Sequence, residues 1–168
     1  MIVIGIDPGT IAAGYGVVET CPGGARLVEC GAVRARRSLS LAERLKVIHA
    51  GLSEVIGRCR PEVAVVEQPF AGKNLATAIA IGEARGAALV ACSSAGARVE
   101  EFSPSEIKRS VTGSGSARKE QVAMMVKSIL RLEKEPKPAD ATDALAAALC
   151  YLHRAPMREA RRTAERRR

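Results

Sequence analysis

Four acidic residues stand out because each lies where a carboxylate can be held rigidly. Asp7 ends an apolar run at the N-terminus and is followed by a Pro-Gly turn signal. Glu67 ends a second apolar run of the same kind. Asp140 and Asp143 are three positions apart at the start of a predicted helix, so both project from one face. These carboxylates are the side chains best placed to do chemistry.

If the four carboxylates converge, they form a hard, oxygen-rich site that suits Mg²⁺ or Mn²⁺. Two such ions can clamp a phosphodiester, one activating water and the other stabilising the leaving oxygen. The carboxylates would repel one another, so the site is expected to need its metals. Simpler interpretations stay open at this point. Asp7 could merely start a turn, and Asp140 and Asp143 could merely favour a helix N-terminus through its dipole.

The elements that must position these acids follow from apolar periodicity and turn signals. Three strands joined by turns predict an antiparallel meander in the first 33 residues. A helix, a strand, a second helix, a fifth strand and further helices follow in that order. This order requires an α/β fold in which helices pack on a mixed five-stranded sheet. Uninterrupted apolar strands suit the middle of a sheet that is covered on both faces.

The length of 168 residues predicts one domain, which we place at residues 1–155. The net charge of +8 predicts a polyanionic partner, with nucleic acid as the default. Half of that excess lies in the last twelve residues, which contain six Arg and two Glu. We expect residues 156–168 to be an Arg-rich, disordered tail.

The five cysteines form no CxxC pair, and with only two histidines no zinc-site spacing is present. They are therefore predicted to be reduced thiols of a cytoplasmic protein. The opening apolar run stops at Asp7, which argues against a signal peptide. The longest stretch without a charge has twelve residues, too few to span a bilayer. No membrane partner is expected.

Several short motifs together resemble the RuvC family of bacterial crossover-junction endodeoxyribonucleases. The match covers about residues 1–154, in order and with close spacing, and its specificity lies in the whole set. The motifs are Gly5-Ile-Asp7-Pro-Gly-Thr10 with Gly14-Tyr-Gly16, Glu67-Gln-x-Phe70 with Lys73-Asn74, Gly82-x-Ala-Arg-Gly86, Gly115-Ser-Ala-x-Lys119-x-Gln-Val122 and Ala139-Asp-Ala-x-Asp143-Ala-Leu-Ala.

The resemblance implies a ribonuclease H-like fold and a Mg²⁺-dependent hydrolase of DNA recombination and repair. Such enzymes cut four-way (Holliday) junctions by paired symmetric nicks. It also implies that two Mg²⁺ ions, for which Mn²⁺ can substitute, are held by the four acids. These are Asp7, Glu67, Asp140 and Asp143. Implied partners are junction DNA, a second copy of the chain, and the branch-migration proteins RuvA and RuvB.

The resemblance further implies which residues contact DNA. It assigns Lys108 and Lys119 to contacts with DNA and the scissile phosphate, and Phe70 to stacking near the junction centre. Stacking of an exposed base on an aromatic ring is worth about 1–3 kcal/mol. Lys73 belongs to the same motif as Phe70, and Arg118 adds a positive charge beside Lys119.

Gly82, Gly86 and Leu89 belong to a seam of residues spaced alternately by four and three along a predicted helix. Spacing alone favours packing of this seam inside the domain. The resemblance instead makes it the homodimer interface, and a two-fold dimer would match a two-fold junction.

Three other functions compete with this interpretation. Actin-like ATPases and sugar kinases also begin with a strand and Asp-x-Gly-Thr, but they need two such domains to enclose a nucleotide. A non-catalytic junction-binding protein predicts that the four acids are dispensable. A ribonuclease H-like nuclease that acts on RNA would share the fold and the acids.

Overall fold

The structure, a computed structural model, describes residues 1–68 and 75–165, and from residue 155 onward it describes the backbone alone. The predicted order of strands and helices is confirmed, with bounds that mostly differ by a few residues. The described elements are β1 (Ile2–Asp7), β2 (Ala12–Cys21), β3 (Gly24–Arg34), α1 (Leu41–Cys59), β4 (Val63–Glu67), α2 (Leu75–Ser94), β5 (Arg98–Phe102), α3 (Pro104–Thr112), α4 (Lys119–Ile129) and α5 (Ala139–Glu165).

The five strands form one mixed sheet in the order β3-β2-β1-β4-β5. Strands β1, β2 and β3 are antiparallel neighbours, which confirms the predicted meander. Strands β1, β4 and β5 run parallel, and Ile6 of β1 pairs with Val66 of β4. The two central strands therefore end side by side at the same edge of the sheet.

The sheet separates two apolar cores, because successive side chains of a strand point to opposite faces. In β1, Ile4 and Ile6 pack with residues of α1 and α2. Val3 packs on the other face, with residues of α3, α4 and α5. Asp7 has the same parity as Val3, so its side chain belongs on the face covered by α5.

Helix α5 lies unusually close to the sheet because glycines replace side chains beneath it. A Cβ atom at Gly5 of β1 would overlap the carbonyl oxygen of Ala144 in α5. A Cβ atom at Gly14 of β2 would likewise overlap the carbonyl oxygen of Asp140. Both glycines belong to the opening motifs, and they fix the distance between the start of α5 and the ends of β1 and β2.

Helix α5 is longer than the sequence predicted. The sequence places the end of this helix before the Arg-rich tail, whereas the backbone remains helical to Glu165 and includes Pro156. Ala, Arg, Glu and Met dominate the added stretch, and all four favour helix formation. The division of the chain at residue 155 remains a prediction.

Helix α2 uses a different face for packing than the spacing of its residues suggested. Its buried residues are Ala84, Ala88, Ala91 and Cys92. Among the described residues, and leaving aside the nearby backbone of α2 itself, no atom lies within 4 Å of a Cβ placed at Gly82 or Gly86, so the expectation that these two glycines pack inside the domain is wrong. The seam's Leu89 is partly buried against the core.

Within the described ranges, α2 also meets the length and composition of a membrane-crossing helix, with a mean hydropathy of 1.5. Apolar helices that belong to folded domains meet the same criteria. The guanidinium of Arg85 in α2 forms an ion pair with Glu101 of β5, which ties this helix to the sheet.

Candidate active site

Two carboxylates lie next to each other where the central parallel strands end. Asp7 is the last residue of β1 and Glu67 is the last residue of β4. The preceding residues, Ile6 and Val66, pair directly across the two strands. In β4, Val65 packs on the α5 face, so Glu67, two positions later, points to that face as Asp7 does.

Helix α5 brings a third carboxylate to the same place. Asp143 lies in its first turns, and it lines a cavity of about 180 Å³ together with Asp7 and Glu67. The polar lining is completed by Lys108 of α3 and Lys119 of α4. We call this the carboxylate cavity; its apolar lining residues are Pro104, Ile107, Val122 and Ala146.

The two strand-end carboxylates hold their protons far more strongly than in water. Burial, followed by the charges of Asp143 and Asp140, raises the pKa of Asp7 to about 7. Burial, followed by the charges of Asp7 and Asp143, raises the pKa of Glu67 to about 7. The cavity thus concentrates negative charge that the protein itself does not neutralise fully.

Lys119 supplies part of the missing positive charge. Its ammonium donates a hydrogen bond of 2.8 Å to Oδ2 of Asp143. This bond, with the charge of Asp143, raises the pKa of Lys119. The Lys119 side chain is 73% exposed, so it can move away from Asp143 when another cation or a phosphate enters. Lys108 opposes the charge of Glu67 more weakly.

Asp140, the fourth predicted site residue, lies beside the carboxylate cavity and is not part of its lining. Its Oδ2 is 3.6 Å from the guanidinium Nη2 of Arg34, at the end of β3. Its charge nevertheless contributes to the raised pKa of Asp7. The structure therefore brings three of the predicted acids together, with the fourth close enough to act through its field.

Among the described residues, no three Asp, Glu, His or Cys side chains are placed to hold a metal ion as they stand. The donor set nevertheless fits a hard divalent cation. Three carboxylates share one cavity, and burial together with the neighbouring acidic charges raises the pKa of two of them to about 7. Carboxylate oxygens are the ligands that Mg²⁺ and Mn²⁺ prefer.

The other predicted site residues are placed as follows. Phe70 and Lys73 lie outside the described residues. Lys108 and Lys119 line the carboxylate cavity. Arg118 is exposed immediately before α4, next to Lys119.

Sequence reasoning missed Arg34 and the apolar lining of the cavity. Arg34 could have been found from the hairpin register, because it ends the strand that pairs with β2 beside the Asp7 turn. The apolar residues carried no comparable signal, since Ile107 and Val122 look like ordinary core positions of amphipathic helices.

Comparison with known proteins identifies what this chain resembles. Residues 3–151 match the family model described as crossover junction endodeoxyribonuclease RuvC. The corresponding protein of Alkalilimnicola ehrlichii is 48% identical over 155 residues, covering 92% of this chain and 93% of the relative. That of Chlorobaculum parvum is 46% identical over 154 residues, covering 92% of this chain and 82% of the relative.

A solved structure agrees with these sequence matches. Thermus thermophilus RuvC in complex with a Holliday junction substrate superimposes with a TM-score of 0.87 and 40% identity. The alignment covers 94% of this chain and 96% of the Thermus protein.

Proposed function

Because this chain belongs to the RuvC family of crossover junction endodeoxyribonucleases, we propose that it resolves four-way DNA junctions by paired symmetric nicks. The observation that carries the proposal is the meeting of Asp7, Glu67 and Asp143 in one cavity beside two lysines. A Thermus relative was solved with a Holliday junction substrate, which supports the same substrate for this chain.

We propose that Asp7, Glu67, Asp143 and the adjacent Asp140 hold Mg²⁺, for which Mn²⁺ can substitute. Divalent cations at such a site supply the positive charge that favours attack on a phosphodiester and departure of the leaving oxygen. The strand ends fix Asp7 and Glu67, so these carboxylates need little reorganisation when cations bind. Ile107 and Val122 form an apolar wall of the cavity, and a less polarisable surrounding strengthens the electrostatic interactions there.

The lysines at the cavity are proposed to bind the phosphate that is cut. The Lys119 ammonium gives up its hydrogen bond to Asp143 and donates to a phosphate oxygen instead. Lys108, on α3, binds the same DNA strand. Arg118 is placed to add a further phosphate contact. We retain the proposal that Phe70 stacks on a junction base and that Lys73 contacts DNA, on the strength of their motif.

A homodimer is proposed to use the open face of α2. Gly82 and Gly86 allow close approach of a second helix, and Leu75 and Ile79 on this helix are 74% and 55% exposed. Two copies related by two-fold symmetry would present two carboxylate cavities to the two strands of a symmetric junction. Cytoplasmic location and cooperation with RuvA and RuvB are proposed from the family alone.

The substrate is tested by comparing labelled four-way DNA junctions with linear duplexes and RNA–DNA hybrids of the same sequence in the presence of Mg²⁺. We expect nicks at symmetric positions in opposite strands of the junction and little cutting of the other substrates. Preferential cutting of the hybrid would favour a ribonuclease, and binding without any cutting would favour a non-catalytic junction-binding protein.

A further inference from the structure

A second concave surface lies beside the carboxylate cavity and shares a wall with it. This side groove has a volume of about 530 Å³ and is formed by the start of α4, residues 135–138 and the start of α5. Lys119 and Asp143 line both the groove and the cavity. A polymer that crosses the carboxylate cavity can therefore continue directly into the side groove.

The side groove is built from residues that suit an uncharged, flat group. Ala123, Pro136, Pro138 and Ala139 supply apolar lining. The charged lining consists of the acids Glu120, Glu135 and Asp143 and the two lysines Lys119 and Lys137. A path for phosphates is expected to carry an excess of cations, and the described residues that line this groove have none.

One wall of the groove is held in place by a specific contact. The buried hydroxyl of Thr142 in α5 donates a hydrogen bond of 3.1 Å to the carbonyl oxygen of Pro136. This bond fixes the 135–138 segment against α5, the helix that also supplies Asp143. The groove and the cavity thus share a rigid support. The volume of the side groove lies in the range of small-ligand sites.

We propose that the side groove binds the nucleoside next to the cut phosphate and recognises its base through Glu135 and Lys137. The proposal rests on the proposed function, because a cut DNA strand necessarily carries a nucleoside on each side of the reacting phosphate. Apolar walls accept the faces of a base, and the two charged groups meet its edge. A carboxylate accepts a hydrogen bond from a base amino group, and an ammonium donates to ring nitrogen or carbonyl oxygen.

The test measures cutting rates on a panel of four-way junctions with every base at the two positions that flank the cut. The variants are Glu135→Gln and Lys137→Met, with Ala123→Leu to fill the groove. Matched controls are Glu133→Gln and Lys134→Met, which change the same residue types in the same segment outside the groove lining. We expect the groove variants to change the ratio of rates between bases by about fivefold or more, as lost base contacts do.

The outcomes separate this inference from the proposed function. A changed base preference in the groove variants, with wild-type preference in both controls, supports the inference. Wild-type preference in Glu135→Gln and Lys137→Met overturns it, and so does a rate loss that is equal for all bases. If the wild-type protein cuts no junction of the panel, the proposed function fails and the inference fails with it.

Discussion

At the scale of single residues, the central feature is a pair of carboxylates at the ends of neighbouring strands. Burial, followed by the charges of neighbouring carboxylates, raises the pKa of both Asp7 and Glu67 to about 7. Only Lys119 makes a direct ion pair with an acid of the cavity among the described residues, and that acid is Asp143. The protein thus keeps an electrostatic deficit that a divalent cation is expected to fill.

This deficit predicts a pH dependence of stability. A group whose pKa is raised by folding stabilises the protein below its unfolded pKa, and that stabilisation is lost as pH rises through the folded value. Without divalent cations, the free energy of unfolding should therefore fall as the pH rises from about 4 to about 7, and stay low at pH 8. Asp7→Asn should remove part of this fall and stabilise the protein at pH 8 by about 1–2 kcal/mol.

Thermal unfolding with EDTA or with Mg²⁺ checks this prediction. Mg²⁺ should raise the unfolding temperature of the wild type at pH 8 and have little effect on Asp7→Asn. Glu133→Gln, at an exposed position outside the carboxylate cavity, should behave like the wild type. Identical pH profiles of the wild type and Asp7→Asn would show that the Asp7 carboxylate carries no such deficit.

At the scale of elements, the site depends on how closely α5 approaches β1 and β2. Gly5 and Gly14 leave no room for a Cβ beneath the first turns of this helix. That approach places Asp140 and Asp143 near the strand ends. The α3 helix is tied to α5 as well, through an ion pair of 2.7 Å between Glu106 and Arg154. The acids are therefore positioned by direct contact between the backbones of α5 and the strands as much as by side-chain packing.

Gly14→Ala tests this dependence. The added methyl group would meet the backbone of Asp140, so α5 must shift and the carboxylates must separate. We expect a loss of stability of about 1–3 kcal/mol, as for overpacked positions, with a large loss of junction cutting. Measuring unfolding and cutting in parallel checks both effects.

Gly57→Ala, inside α1, is the matched control, because a Cβ at Gly57 would meet no other described part of the chain within 4 Å. Alanine in a helix interior should stabilise the protein by about 0.5–1 kcal/mol and leave cutting unchanged. If Gly14→Ala and Gly57→Ala had the same stability and the same cutting rate, the close approach of α5 to the sheet would not be what positions the site.

The sequence predicted these elements well where local patterns dominate. Apolar runs that end in acids located Asp7 and Glu67 at the ends of β1 and β4. Contacts between distant segments could not be predicted. The ion pair of Arg34 with Asp140, the exclusion of Asp140 from the cavity lining and the open face at Gly82 all depend on how helices lie on the sheet.

At the scale of the whole molecule, the basic charge and the acidic cavity have separate roles. The chain carries a net charge of +8, yet its predicted catalytic groups are acids. Positive charge favours association with DNA in general, whereas the acids concentrate divalent cations at one point. A second copy of the chain is proposed to bind at the open face of α2, so that two carboxylate cavities act on one junction.

The most direct test of the central claim is cutting of a synthetic four-way junction by the wild type and by Asp7→Asn, measured with junction binding in the same buffer. We expect the wild type to make paired nicks only with Mg²⁺ or Mn²⁺, and Asp7→Asn to bind the junction with cutting reduced by at least about 100-fold, or roughly 3 kcal/mol of transition-state stabilisation. Equal cutting by Asp7→Asn, or undiminished cutting in EDTA, would contradict a cation-dependent site built on the strand-end carboxylates.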